Sequence, residues 1–255
     1  MFLGLVQGLT EFLPVSSSGH LILFQRVFGI ESDMIMFNIM LHIATLLAVL
    51  FVFRKRIWQL MKNPFQQTTY VLLLATVITV SFVLAFHDFI ESTFTASILP
   101  ISFMITAIVL FSTTFIPKRV GADGNQPSGR LPSSPTYFSG AMTGLAQGLA
   151  VVPGFSRSGF TIATAMATGT RRESAAEFSF LMSIPIIIAA LVFEVVSSGG
   201  VTMSVNWLQM SLAFVVALVS GIFAIKFMLA IVREVKLYWF SLYLVVLAII
   251  TIFIV

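Results

Sequence analysis

Apolar stretches alternate with short polar clusters along the whole chain, and the alternation yields six unbroken spans and two broken ones. Residues 37–53, 70–86, 98–115, 178–196, 208–231 and 237–255 are predominantly apolar runs. Their lengths suit a helix that crosses a hydrocarbon layer, which takes about 17–25 residues. Residues 2–28 and 138–168 are equally apolar at their ends but are interrupted in the middle, the first at Pro14 and 16–19, the second at Pro153-Gly154 and 156–159. Each interruption predicts two half-helices meeting in a re-entrant hairpin. Non-helical backbone at that depth is tolerated only where it is buried in protein or lines a wet cavity. One long kinked helix is the alternative.

The two broken stretches are copies of one another. Gln7-Gly8-Leu9 recurs as Gln147-Gly148-Leu149, and Ser16, Ser18 and Gly19 recur as Ser156, Ser158 and Gly159, all at an offset of 140 residues. Phe37, Ile43 and Ala48 echo Phe178, Ile184 and Ala189 at an offset of 141. A polar loop, 117–137, rich in Gly, Pro and Ser, joins the halves 1–116 and 138–255 within a single membrane domain, 1–255. Each half is a hairpin plus three spans. Three is odd, so the second half is inverted and the hairpins enter from opposite sides, with their tips meeting near the midplane. Such inverted repeats of broken helices build a site at the repeat interface. The expected fold is an all-α polytopic membrane protein with six transmembrane helices and two re-entrant hairpins.

Composition agrees: 58% of the 255 residues are hydrophobic and only 9% charged, against roughly 25% charged in soluble domains. The net charge of +4 is small and its positives flank apolar spans, which marks topology signals and argues against nucleic acid as a partner. The basic groups Arg54, Lys55, Arg56 and Lys62; Lys118, Arg119 and Arg130; Arg171 and Arg172; and Arg233 and Lys236 fall on one side if the hairpins do not cross. Glu31, Asp33, Asp88 and Glu91 fall on the other. The positive-inside rule makes the first side cytoplasmic and puts both termini outside. Trp58 and Trp239 then sit near the inner interface and Trp207 near the outer. The absence of cysteine excludes disulfides, thiol nucleophiles and thiolate metal sites. A cleavable signal peptide is not expected, because no basic residue precedes Arg26 and Glu11 interrupts the first apolar run.

A duplicated scaffold shares residues for packing and turns, so the differences between copies carry the chemistry. Glu11 faces Val151, Ser17 faces Arg157, His20 faces Phe160 and Leu21 faces Thr161. One hairpin thus offers a carboxylate, an imidazole and a row of hydroxyls, and the other a guanidinium among hydroxyls. That asymmetry suits chemistry on an anionic group. Arg157 would clamp phosphate oxygens, helix N-termini after Gly19 and Gly159 would add N–H donors, and Glu11 and His20 would move protons. Bland readings stand beside these. Small residues such as 16–19 also serve close helix packing, an intramembrane Arg can snorkel to an interface, and His42 and His87 with Asp88 read as structural. Glu173 and Glu177 read as a cytoplasmic helix start, and Glu194 as structural near an outer span end. Glu11 is the hardest to dismiss, since an acidic residue at a span centre costs about 2.5–3.5 kcal/mol on insertion scales.

These motifs resemble the undecaprenyl-diphosphate phosphatases of bacteria, also known as bacitracin-resistance proteins. The first family motif, (E/Q)xxxE followed by FLPVSS(T/S)GH, stands here as Gln7 to Glu11 and Phe12 to His20; the second, PGxSRSxxT, runs from Pro153 to Thr161. The resemblance covers essentially the whole chain. It implies an integral enzyme of the bacterial inner membrane that removes the terminal phosphate of undecaprenyl diphosphate, regenerating the lipid carrier of cell-wall precursors, with a site open to the outer face. It places Glu11, Ser17, His20 and Arg157 at the catalytic positions. Gln7, Ser16, Ser18, Gly19, Ser156, Ser158, Gly159 and Thr161 then surround the substrate, and a divalent cation, magnesium or calcium, supports activity with Glu11 as a candidate ligand. Many members carry Glu where this chain has Gln7, so a paired-carboxylate metal site is lost here. Ser17 is the first choice of nucleophile, with His20 as base or shuttle; His20 as the nucleophile is the rival. A transporter or flippase of an anionic lipid is the competing class, and pairing into a homodimer is left open.

Overall fold

The structure is a computed structural model that describes residues 1–30, 35–116, 135–197, 206–232 and 237–255. Glu31, Asp33, the loop residues Lys118, Arg119 and Arg130, the pair Arg233 and Lys236, and the side chain of Glu194 lie outside the described residues. Among those described, every regular element is helical: α1 (Phe2–Thr10), α2 (Ser17–Val27), α3 (Ile35–Val52), α4 (Arg54–Lys62), α5 (Gln67–Ala85), α6 (His87–Ser92), α7 (Leu99–Ser112), α8 (Tyr137–Leu149), α9 (Arg157–Ala167), α10 (Arg172–Ser197), α11 (Trp207–Ile231) and α12 (Tyr238–Ile252). By length and composition, Gln67–Ala85, Ala96–Phe115, Arg172–Phe193 and Trp207–Ile231 can each cross a membrane. Met36–Val52 joins them as a fifth if counted with α4, to which it is bent by 71°, and α12 is a shorter apolar helix. The amphipathic α4 and the short α6 were not separate elements in the sequence pattern.

Both broken stretches turn back on themselves. Phe2 at the start of α1 meets Phe24 and Phe28 at the end of the second half-helix, with ring centroids 4.9 and 5.6 Å apart. In the second copy, the Ser139 hydroxyl near the start of α8 lies 2.7 Å from Thr168 Oγ1 and 3.1 Å from Thr170 Oγ1, just beyond α9. A single kinked helix would hold those ends apart; these are hairpins.

Each hairpin is seated on the other half of the chain. The first packs on α11 and the second on α5, while α3 meets α10 and α7 meets α12. Small residues permit this. Gly4 and Gly8 lie directly against the backbone of α11 at Ala213 and Ala217, and a Cβ on Gly144 would come within 2.6 Å of the Ala75 carbonyl on α5. The Thr79 hydroxyl, lying between the Ala75 and Gly144 carbonyls, is 2.9 Å from each and ties the two helices. Close approach of backbones across small residues is the usual basis of helix association in lipid. Gly144→Ala is therefore expected to cost about 1–3 kcal/mol through overpacking, read as a lowered melting temperature of the purified protein.

The two surfaces of the molecule differ in charge. Arg56 on α4 pairs with Glu177 on α10 at 3.0 Å, so the basic cluster at 54–62 and the start of α10 share one face, as the sequence requires. The His87 ring, beside Asp88 and Glu91, lies 5.6 Å from that of Phe193 at the other end of α10. Between these faces the surface is apolar, with Leu73, Val77, Ile108, Val219 and Phe223 exposed, while Thr45, Thr79, Ser102, Thr106 and Ser179 are fully buried. Hydroxyls inside and hydrocarbon outside is the pattern that a lipid environment selects.

Candidate active site

Both hairpin tips share a helix stop and a serine cap. The first half-helix ends before a proline, and the second is started by a serine N-cap: the Ser16 hydroxyl accepts the Gly19 N–H at 3.2 Å, and the Ser156 hydroxyl accepts the Gly159 N–H at 3.1 Å. Side-chain caps of this kind satisfy one of the orphan donors of a helix start. The residue after each cap is the first of its helix: Ser17 opens α2 and Arg157 opens α9. The two most divergent positions of the repeat thus occupy equivalent places, each at the positive end of a helix dipole. The tips touch, because the Ser158 hydroxyl donates to the Leu13 carbonyl at 3.0 Å.

Glu11 joins them. Its Oε1 accepts from the Arg157 guanidinium. Its Oε2 accepts from the Ser17 hydroxyl at 2.5 Å and from Gln7 Nε2 at 3.0 Å. The side chains of Glu11 and Arg157 are 5% and 15% exposed, so this is a buried ion pair joining the two halves. Hydroxyl, carboxylate and guanidinium form one contiguous set, which is what transfer of a group bearing negative charge needs. Gln7 is fully buried, and its Oε1 has no hydrogen-bond partner among the described residues.

His20 is placed differently from the sequence expectation of a base next to Ser17. Its Nδ1 faces the Ser16 carbonyl at 2.7 Å, and its Nε2 meets the Tyr243 hydroxyl on α12 at 2.6 Å. The group that the Ser17 hydroxyl reaches is the Glu11 carboxylate. Ser18 lies beside Ser16, 3.4 Å between hydroxyls. Thr161 is fully buried and spends its hydroxyl on Ser179 of α10 at 2.6 Å and on the Arg157 carbonyl at 2.8 Å; it anchors α9. Ser16 and Ser156 act as helix caps. His42 donates from Nδ1 to the Asn38 carbonyl at 2.8 Å. Sequence reasoning missed Tyr243, and it missed Thr106, which accepts the Ser156 N–H at 3.2 Å from α7.

The donor set does not compose a resident divalent-cation site. Glu11 is the one carboxylate that the described residues bring to the tips, both its oxygens are engaged, and a guanidinium charge stands beside it. Sites of this kind call on one or two free carboxylates. Among the described residues the one cluster of three metal-ligating side chains is His87, Asp88 and Glu91, on α6 and outside the tips. An apolar groove of about 340 Å³ runs between α7 and α12, lined by Met104, Ile108, Phe111, Ser241 and Leu242 among others; none of the site residues line it.

A family described as "Bacitracin resistance protein BacA" matches residues 1–250. The chain is similar to the undecaprenyl-diphosphatase of Carboxydothermus hydrogenoformans, 41% identical over 98% of this chain and 94% of that one. It is also similar to the undecaprenyl-diphosphatases of Treponema denticola, 37% identical over 96% and 92%, and of Borreliella burgdorferi, 37% identical over 98% and 95%.

Proposed function

The chain belongs to the bacitracin resistance protein BacA family, and from that premise we infer that it is an undecaprenyl-diphosphatase working where the two hairpin tips meet. The observation that carries the reading is the Ser17 hydroxyl held on Glu11, which is itself paired to Arg157. A transporter needs an anion site but has no use for a hydroxyl poised on a carboxylate.

The lipid diphosphate arrives from the bilayer and its terminal phosphate takes over the Arg157 guanidinium, which matches phosphate oxygens two at a time. First-turn N–H groups of α2 and α9 add donors. The released Glu11 keeps Ser17. Ser17 Oγ attacks the terminal phosphorus, its proton passes to Glu11, and the bond to the bridging oxygen breaks, so that undecaprenyl phosphate departs. Glu11 hands that proton on to the departing phosphate; water then attacks the phosphoserine, its proton passing through the freed carboxylate to Ser17 Oγ as the serine–phosphorus bond breaks, and inorganic phosphate leaves. Phosphoryl transfer asks mainly for positioning and charge stabilisation, and the tips offer both. His20 is left a supporting role, since both its ring nitrogens are committed elsewhere. The magnesium or calcium expected from the resemblance is assigned to the diphosphate it accompanies, because the tip residues do not suit a resident ion. The six-span count, the outward-facing site and the cytoplasmic position of the α4 cluster complete the reading; the basic groups and the exposed apolar belt support them.

The test is phosphate release from a long-chain polyprenyl diphosphate by purified protein, with label trapped on the enzyme after an acid quench. A phosphoenzyme stable to acid, labile to hot alkali and absent from Ser17→Ala is the expected result. An acid-labile adduct surviving in Ser17→Ala would transfer the nucleophile to a histidine. No release at all would point to lipid transport.

A further inference from the structure

Ser16 is the one non-glycine residue among those described with a positive φ, 69°. Its counterpart in the other hairpin, the Ser156 cap, has φ −88°. The two caps share a residue type, a role and nearly the same ψ, 98° and 108°. The left-handed backbone is therefore no requirement of the cap. A side chain with a Cβ resists that conformation, and it persists only where the surroundings over-determine it. At Ser16 the carbonyl meets the His20 ring, whose other nitrogen meets Tyr243.

The hydrogen bonds fix the imidazole. A carbonyl can only accept, so the nitrogen facing Ser16 O carries a proton, and the neutral ring then presents a bare Nε2 to the Tyr243 hydroxyl. The two rings are nearly parallel, 6° apart, and His20 is buried with its ring 5.9 Å from that of Phe103. Tyr243 is 45% exposed toward the lipid while its hydroxyl reaches inward. The repeat supplies the contrast. At the 140-residue offset His20 corresponds to Phe160 and Tyr243 to Phe103, so the hairpin without the strained cap also lacks both polar partners.

We propose that Tyr243 is a positioning residue: through its hydroxyl it holds His20 against the Ser16 carbonyl, and this keeps Ser16 left-handed and presents Ser17 to Glu11. Its effect on turnover rests on the phosphatase reading above; its effect on the imidazole does not.

Tyr243→Phe keeps the ring and its packing and removes only the hydroxyl. Its kcat for a polyprenyl diphosphate is expected to fall about ten- to hundredfold, as for small misplacements of a reacting group, with KM within about twofold. In a His20→Ala background the same substitution should cost nothing further, because coupled residues are non-additive. It should also cost less in Ser16→Gly, where the left-handed backbone is unstrained. With ¹⁵N-labelled histidine, His20 of the unsubstituted protein is expected to show a single Nδ1–H tautomer, and the Nε2 resonance to move in Tyr243→Phe, whether or not the protein hydrolyses any lipid. Unchanged kcat in Tyr243→Phe, full additivity with His20→Ala, or mixed tautomers in the unsubstituted protein would each overturn the clamp.

Discussion

Arg157→Ala is expected to lower kcat/KM for a long-chain polyprenyl diphosphate by about 10³- to 10⁵-fold, the range in which a single arginine contributes to phosphoryl transfer. Two features of the site set the size. Arg157 supplies the one cationic side chain that the described residues bring to the tips, and it is largely buried, so water screens its charge little. It also opens α9, so that its guanidinium and the first-turn N–H groups address the same anion. Arg157→Lys separates charge from geometry. An ammonium can hold Glu11 in the resting site but cannot offer two parallel donors to phosphate, and a loss of about 10²-fold or more is expected, comparable to removing one preorganised donor. Steady-state phosphate release from the three proteins decides this. If Arg157→Lys kept full activity, point charge alone would suffice and the bidentate role would be wrong. If Arg157→Ala kept it, the site would lie elsewhere.

The hairpins and their meeting were legible in the sequence because polar residues in an apolar chain are costly and these appear twice in the same order. Comparing the copies also singled out Glu11, Ser17 and Arg157, which the structure joins by direct bonds. The pairing within the first hairpin was not legible. Ser17 and His20 are three apart on one helix, a spacing that suggests a hydroxyl–imidazole couple. The ring instead folds back one turn onto the Ser16 carbonyl, and the carboxylate comes from the preceding half-helix. Nothing local points to the partner of His20, a tyrosine more than two hundred residues away. Tyr243 could have been found by carrying the comparison of copies beyond the hairpins to its counterpart Phe103. The bend between α3 and α4 was read only as a basic cluster, because a short amphipathic helix at a span end has the same composition as a charged loop.

Glu11 carries the second large effect, and it separates chemistry from stability. Glu11→Gln keeps shape and an acceptor oxygen but removes the base from Ser17, and kcat is expected to fall about 10²- to 10⁴-fold, the usual yield of a positioned proton acceptor. The same carboxylate is half of an ion pair in which both side chains are mostly hidden from solvent. Breaking such a pair from one side leaves the other charge buried and alone, at a cost of about 3–5 kcal/mol, whereas removing both charges together costs far less. Glu11→Ala and Arg157→Ala are each expected to melt well below the unsubstituted protein, and Glu11→Ala/Arg157→Ala to recover most of that loss while remaining inactive. Arg56→Ala is the control: its pair with Glu177 is more than a third exposed on both sides, and exposed pairs contribute about 0–1 kcal/mol. A double variant melting no higher than the singles would mean that Glu11 and Arg157 are not coupled in the resting protein. The phosphate would then have no internal carboxylate to displace, and substrate entry would need another account.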